Sequence, residues 1–420
     1  MAMTAVDANS GTTSPPVKSK VRIQALDLIR GLAILGILAV NADGFAAPML
    51  ASLNPATWPF PHEGWTAIAF WIVQAFFHEK FVTLFSMLFG VSLFLVGGEL
   101  SDRTRGKFLA RRLAVLLILG MIHGFGIWWG DILTLYASTG AIMFFCRSLS
   151  ARTLMIAGVL LYGAMTLQHL PPGALPFAPP EARARAEAQL TPPPAAIAKR
   201  KAGAEADLAE AKSSWAGAYR VNTKEYQRLL SGYPRLLPAT LGLMMIGLSL
   251  FKSGFLAGRS STRRYAAVAA AGAAGLAIVS WLEWRAVMAG APVLGGDVLG
   301  RVLTPFISLA YASVLILLLK AGAAVVLSPM AAAGRMAFTN YLTQSLIMTC
   351  IFYGGRGALM GQVDRPALWG IVLAIWALQL TWSPLWLKRF EMGPFEWIWR
   401  CLTMGRLLPI RKGPAGAAAA

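Results

Sequence analysis

Ten apolar runs, each close to the length an α-helix needs to cross a hydrocarbon core about 30 Å thick, dominate this chain. They cover 25–42, 80–98, 113–129, 132–146, 153–169, 236–252, 265–286, 302–320, 336–353 and 367–386. Inside lipid, every backbone N–H and C=O must be satisfied within the protein, so such runs can only be packed helices. A membrane β-barrel would show shorter, alternating segments. The predicted fold class is therefore all-α: a polytopic integral membrane helical bundle of about ten transmembrane helices. One further apolar piece, WTAIAFWIVQAFF at 65–77, is too short to span comfortably. Composition agrees, with 56% hydrophobic and only 14% charged residues, where soluble domains carry roughly a quarter charged.

The formal net charge is +19. In a soluble chain that balance would suggest nucleic acid. Here the basic residues stand between apolar runs, so anionic lipid and membrane topology explain them instead, and the bilayer is the expected partner. With the N-terminus on the cytoplasmic side, the inner segments hold Lys18, Lys20, Arg22, Arg103, Arg105, Lys107, Arg111, Arg112, Arg147, Arg152, Lys252, Arg259, Arg263, Arg264, Lys320, Arg335, Lys388 and Arg389. Arg356 and Arg365 fall in short loops on the other side. That asymmetry predicts cytoplasmic N- and C-termini. It also predicts that 65–77 lies on the outer face as an interfacial or re-entrant helix, since a full crossing would invert every later loop.

Residues 1–22 are polar and Pro-containing and predict a disordered cytoplasmic tail. Residues 23–169 form a five-span half and 236–386 a second five-span half. Between them, 170–235 has Pro clusters flanking Ala- and charge-rich pieces, predicting an extracytoplasmic linker that is helical from about Pro194 to Tyr219. It is either a solvated connector or an arm over an outer site. Residues 387–420 predict an amphipathic cytoplasmic tail, with Glu396 and Arg400 paired at i, i+4. The three cysteines and four histidines show no metal-ligand spacing.

Ionisable groups inside membrane helices are costly and mark candidate sites. Asp27 and Arg30 share one face of the first helix. They form either an anchoring ion pair or, through Arg30, a contact for an anionic headgroup such as a coenzyme's phosphates. Gly31 permits close approach of a helix or ligand, and Asn41 sits near the outer end. His78, with Glu79 and Lys80, marks a boundary or faces an outer aqueous cavity. His123 lies in the third span among Gly120, Gly124 and Gly126, small residues that leave space beside the imidazole. Asp131 can orient that imidazole if the helix breaks near Gly130 and folds back; otherwise it is a helix cap. Tyr136 follows five residues later. In GRMAFTNYLTQSLIM (334–348), Arg335 stands at the boundary, Asn340 and Gln344 share one helix face, and Tyr341 adds a phenol. That density fits either interhelical hydrogen bonding or the lining of a polar cavity.

The runs LDLIRGLAILGILAVN (26–41), KFVTLFSMLFGVSLFL (80–95), LGMIHGFGIWWGDILTLYA (119–137), GRMAFTNYLTQSLI (334–347) and GPFEWIWRCLT (393–403) resemble the YeiB family of bacterial inner-membrane proteins. That family is similar in its first helices to transmembrane acyltransferases of the heparan-glucosaminide acetyltransferase and acyltransferase-3 types. The shared start is carried here by Leu26, Asp27, Arg30, Gly31, Ala33 and Ile34. The resemblance implies transfer from a cytoplasmic acyl donor, acetyl-CoA or another acyl-CoA, to an envelope acceptor. His123 would deprotonate the acceptor and Asp131 would orient it. Asp27, Arg30, Asn41, His78, Tyr136, Arg335, Asn340, Tyr341 and Gln344 would bind donor or acceptor. Transport of a small metabolite or envelope precursor through the same polar helices is the alternative. A third reading gives the polar positions a purely structural role.

Overall fold

A helix that is apolar on every side has no face to give to water, so it must be surrounded. The first run is such a helix. In the computed structural model it forms α1 (Gln24–Ala46), buried along most of its length. The structure describes residues 23–52, 55–169, 178–190, 193–289 and 296–413. The tail expected at 1–22, part of the Pro-rich start of the linker and the last seven residues lie outside that range.

After α1 come α2 (Met49–Ser52), a 3-10 turn at Pro55–Thr57, and α3 (Gly64–Ile72), which runs through a π turn (Val73–Phe77) towards α4 (Lys80–Gly97). Then follow α5 (Arg103–Gly126), α6 (Leu133–Cys146), α7 (Ala151–Leu167), α8 (Pro180–Leu190), α9 (Pro194–Ser213) and α10 (Trp215–Lys252). The chain continues with α11 (Thr262–Ala289), α12 (Gly296–Lys320), α13 (Ser328–Arg335), α14 (Ala337–Phe352), α15 (Arg365–Arg389) and α16 (Pro394–Met404). Around α1 pack α4, α12, α13, α14 and α15. Among the described residues there is no strand, only an isolated bridge between Phe390 and Arg411.

The molecule is an all-α helical bundle. Among the described residues, 7 helical stretches can cross a membrane by length and composition: α1, the joined α3–α4, α5, α10, α11, α12 and α15. The shorter apolar helices α6 and α7 accompany them. The 336–353 run forms the 16-residue α14, too short to count with those seven.

α10 differs most from the sequence reading. The junction expected at 235/236 falls inside this 38-residue helix, which continues through Pro234 and Pro238. At 1.5 Å per residue it is about 57 Å long, nearly twice a hydrocarbon core. Its N-terminal half therefore projects beyond the core, with α9 packed along it. Ser214 starts the helix by accepting the Gly217 N–H at 3.1 Å.

Two close contacts fix the end of the bundle that carries Arg30. Gly31 and Gly334 let α1 and α13 touch backbone to backbone: a Cβ at Gly334 would lie 1.8 Å from the Asp27 carbonyl oxygen. So Gly31 admits a helix. Glu396 of α16, expected to pair with Arg400, instead caps α14. It accepts the N–H groups of Phe338 (2.8 Å) and Thr339 (3.1 Å) and the Thr339 hydroxyl. The first turn of a helix leaves four N–H groups without partners, and a buried carboxylate there satisfies them better than a solvated ion pair would. Burial nevertheless holds this carboxyl above its ordinary range, against the lowering effect of those bonds.

Gly334→Ala is expected to destabilise the protein by about 1–3 kcal/mol, because the backbone at Asp27 has to move. Gly163→Ala on α7, where a Cβ meets open space, should be neutral or slightly stabilising. Unfolding midpoints in detergent check both. Equal midpoints would remove the role given to the Gly334 contact.

Candidate functional site

α5 stops at Gly126 and the chain turns back through Ile127–Ile132 before α6 begins. The reversal is built on His123, whose carbonyl accepts the N–H groups of Ile127 (2.8 Å) and Trp128 (2.9 Å). At its far end, Asp131 accepts the N–H groups of Leu133 (3.1 Å) and Thr134 (2.8 Å), which otherwise have no partner at the start of α6. The fold-back brings the Asp131 carboxylate 3.0 Å from His123 Nδ1. On the other side of the ring, His123 Nε2 lies 2.9 Å from Ser345 Oγ of α14.

A carboxylate only accepts hydrogen bonds, so the imidazole proton sits on Nδ1 and Nε2 is left to accept the Ser345 hydroxyl. The result is a serine–histidine–carboxylate chain, with His123 and Ser345 each 1% exposed and Asp131 2%. Tyr341, one helical turn before Ser345, sets its ring 5.1 Å from the imidazole at a 45° tilt and donates to the Gly130 carbonyl at 3.2 Å. From α10, Tyr233 donates to the Asp131 carbonyl, and Tyr226 reaches both Thr134 Oγ1 (2.8 Å) and Asp131 Oδ2 (3.5 Å).

Of the glycines near His123, Gly126 faces open space, but Gly120 and Gly124 do not. A Cβ at Gly124 would overlap the Tyr226 ring at 2.1 Å, and one at Gly120 would overlap Thr134 at 2.6 Å. The small residues admit neighbours that hold Asp131.

Beneath the turn, towards the end of the bundle that carries Asn41, lies a cavity of about 550 Å³. Asn41, His78, Glu79, Lys80, Gly130, Asp131, Tyr233 and Arg301 help to line it. Glu79 pairs with Arg301 at 2.8 Å, and Lys80 Nζ donates to the Gln74 carbonyl at 2.8 Å. Glu79 adopts a left-handed conformation at φ +62°, unusual outside glycine, where the π turn meets α4. Beside this cavity the buried Arg365 bonds Asp43 through Nε at 2.8 Å, with its guanidinium over Trp58 (3.9 Å) and Phe70 (4.6 Å). His62 packs on the same Phe70. Burial, with the Arg365 cation, pushes its imidazole below the ordinary histidine value.

The structure thus brings His123, Asp131 and Tyr341 together and places Asn41 and His78 on the adjoining cavity. It does not bring the others there. Asp27 and Arg30 pair at 3.1 Å, with Arg30 also near Ser92. Arg30 is eleven residues from Asn41, about 16 Å along α1. Arg335 donates to the Glu391 carbonyl at the same end as Arg30. Tyr136 bonds Ser86 at 2.9 Å. The amides of Asn340 and Gln344 meet protein partners: Asn340 bonds Ser383 and Trp382, and Gln344 bonds Gln379 at 2.8 Å and the Ile34 carbonyl. These bonds fasten α14 to α15 and α1.

Sequence reasoning passed over Ser345, Tyr226 and Tyr233. Ser345 carried a usable signal, since it lies four residues from Tyr341 and so shares its helix face. Tyr226 and Tyr233 are seven residues apart, which puts them on one face of α10 as well.

Residues 250–406 match the family described as "Protein of unknown function (DUF418)". Over 408 residues the chain is 32% identical to "Uncharacterized protein YxaH" of Bacillus subtilis (strain 168), covering 94% of this chain and 98% of that one. It is 33% identical over 398 residues to "Uncharacterized protein YeiB" of Escherichia coli (strain K12), covering 90% and 95% respectively. A 39.9 kDa protein from the amylase 3′ region of Bacillus acidopullulyticus is 27% identical over 409 residues, 94% of this chain and 97% of that one. No solved structure matches the chain.

Proposed function

The chain belongs to the YeiB (DUF418) family, and from that premise we propose that it is a membrane acyltransferase acting on an envelope molecule. The observation that carries this reading is the hydrogen-bonded Ser345–His123–Asp131 chain, whose Asp131 end lines the 550 Å³ cavity. An acceptor hydroxyl or amine would lose its proton to His123 Nε2 in the course of receiving the acyl group that a thioester supplies. Asp131 would hold the ring in the tautomer that leaves Nε2 unprotonated and would stabilise the imidazolium that forms. The proton then passes to the departing group. Tyr226 and Tyr233 keep Asp131 in place, and burial of the whole chain keeps water from competing for the acyl group.

In this reading the bundle has ten spans in a bacterial inner membrane, with both termini in the cytoplasm. The α3 segment lies at the outer face as an interfacial or re-entrant helix. The end that carries Arg30 and Arg335 then faces the cytoplasm and receives acetyl-CoA or another acyl-CoA. The end that carries Asn41 and His78 receives the acceptor.

The test is acetyl-CoA binding by purified protein in nanodiscs, read as a rise in melting temperature. A ligand that binds only the folded state stabilises it by about 2.7 kcal/mol at a hundredfold excess over Kd. A saturable rise, weakened in Arg30→Ala and Arg335→Ala, is the expected result. No rise in excess ligand, together with flux of an unmodified substrate into vesicles, would replace this reading with transport.

A further inference from the structure

We propose that Ser345 is a nucleophile that carries the acyl group between donor and acceptor, so that transfer proceeds in two half-reactions. The inference rests on the acyl-transfer reading above and deepens it. Its basis is the set of distances around one hydroxyl oxygen. Serines within these helices ordinarily return their hydroxyl to the carbonyl four residues back: Ser86, Ser92, Ser138, Ser308 and Ser313 do so at 2.7–2.9 Å. Ser345 is 3.4 Å from the Tyr341 carbonyl and 2.9 Å from His123 Nε2. Its bond to the carbonyl four residues back is the long one, and its short contact is to the imidazole nitrogen. That base is in turn oriented by Asp131 at 3.0 Å. A nucleophile bonded to a base, with the base oriented by a third group, is the arrangement that activates serine.

Position supplies the second argument. The residues proposed to hold the donor lie near one end of α1, and the acceptor cavity lies near the other. A carrier between them lets each substrate react without the other being present. With Ser345 at 1% exposure, an ester formed there is sheltered from hydrolysis.

In the first half-reaction Ser345 Oγ attacks the thioester carbonyl carbon and its proton moves to His123 Nε2. The C–S bond breaks, and the leaving thiolate takes that proton. In the second, the acceptor oxygen or nitrogen attacks the ester carbonyl as its proton moves to Nε2. The C–Oγ bond breaks, and Oγ recovers the proton.

The experiment incubates the full-length protein in nanodiscs with isotope-labelled acetyl-CoA without acceptor, and separately with a fluorophosphonate. Peptide mass spectrometry then locates any adduct. Both labels are expected on Ser345, lost in Ser345→Ala and reduced about 10⁴-fold in His123→Gln. Ser345→Cys guards against a folding defect, since its thiol should still accept the acyl group. Acyl transfer that persists in Ser345→Ala, with no adduct on Ser345 in wild type, would overturn the carrier and leave the acyltransferase reading standing. Fluorophosphonate labelling of Ser345 without thioester turnover would keep the nucleophile and overturn the coenzyme A donor. Neither label nor turnover would overturn both.

Discussion

His123→Gln is expected to lower acyl transfer by about 10²–10⁴-fold, the range that a positioned general base contributes, while the protein stays folded. Glutamine nearly fills the space of the imidazole and can still bond Asp131 and Ser345, so the buried polar atoms are not stranded. Asp131 keeps its bonds to Leu133 and Thr134, so α6 retains its start. What is lost is the ring nitrogen that takes the acceptor's proton. Asp131→Asn separates orientation from basicity. Its amide can donate to Nδ1 and so drive the imidazole proton to Nε2, where the acceptor's proton has to go. A loss of about 10⁴-fold is expected for a wrong tautomer of this kind. Radiolabelled acyl transfer measured alongside melting temperature distinguishes these outcomes from unfolding. Full activity in His123→Gln would refute the role of His123.

Arg365→Ala is expected to destabilise the bundle by about 3–5 kcal/mol, because it leaves the Asp43 carboxylate buried without its counter-ion. Asp43 is 8% exposed and Arg365 1%, and the Nε bond between them is 2.8 Å. The guanidinium's contacts over Trp58 and Phe70 are lost as well, leaving Asp364, which bonds Trp58 and Thr66, to hold α15 there. Adding Asp43→Asn to Arg365→Ala should return part of the loss, because an amide is less expensive to bury than an unpaired charge. Reversible unfolding in mixed micelles of both single variants and the double variant measures the coupling. Additive losses would mean that the aromatic contacts, and not the ion pair, hold Arg365.

The polar stretch of α14 illustrates how two readings of one sequence can both find a place. Asn340 and Gln344 spend their amides on Ser383, Trp382, Gln379 and the backbone of α1. On the neighbouring face of the same helix, Tyr341 and Ser345 meet the imidazole instead. Heptad-scale spacing separates the faces, but only the position of α5 says which face meets His123.

The all-α membrane class was legible in the sequence, and each apolar run falls on a helix, though not always with the helix's bounds. Transfer of a helix into lipid is a local sum over about twenty consecutive residues, and each contributes independently of the fold. The fold-back that joins Asp131 to His123 was half legible, since Gly130 marked a break but nothing local required the ring and carboxylate to meet. The length of α10 was not legible, because packing of α9 along it outweighs the break that Pro234 and Pro238 suggest. The partner of Ser345 was decided by the tertiary structure. The serine stands 222 residues from His123, and which hydroxyl reaches the imidazole is decided by how α14 rotates against α5, a choice made by long-range packing and steric fit rather than by anything the neighbouring residues encode.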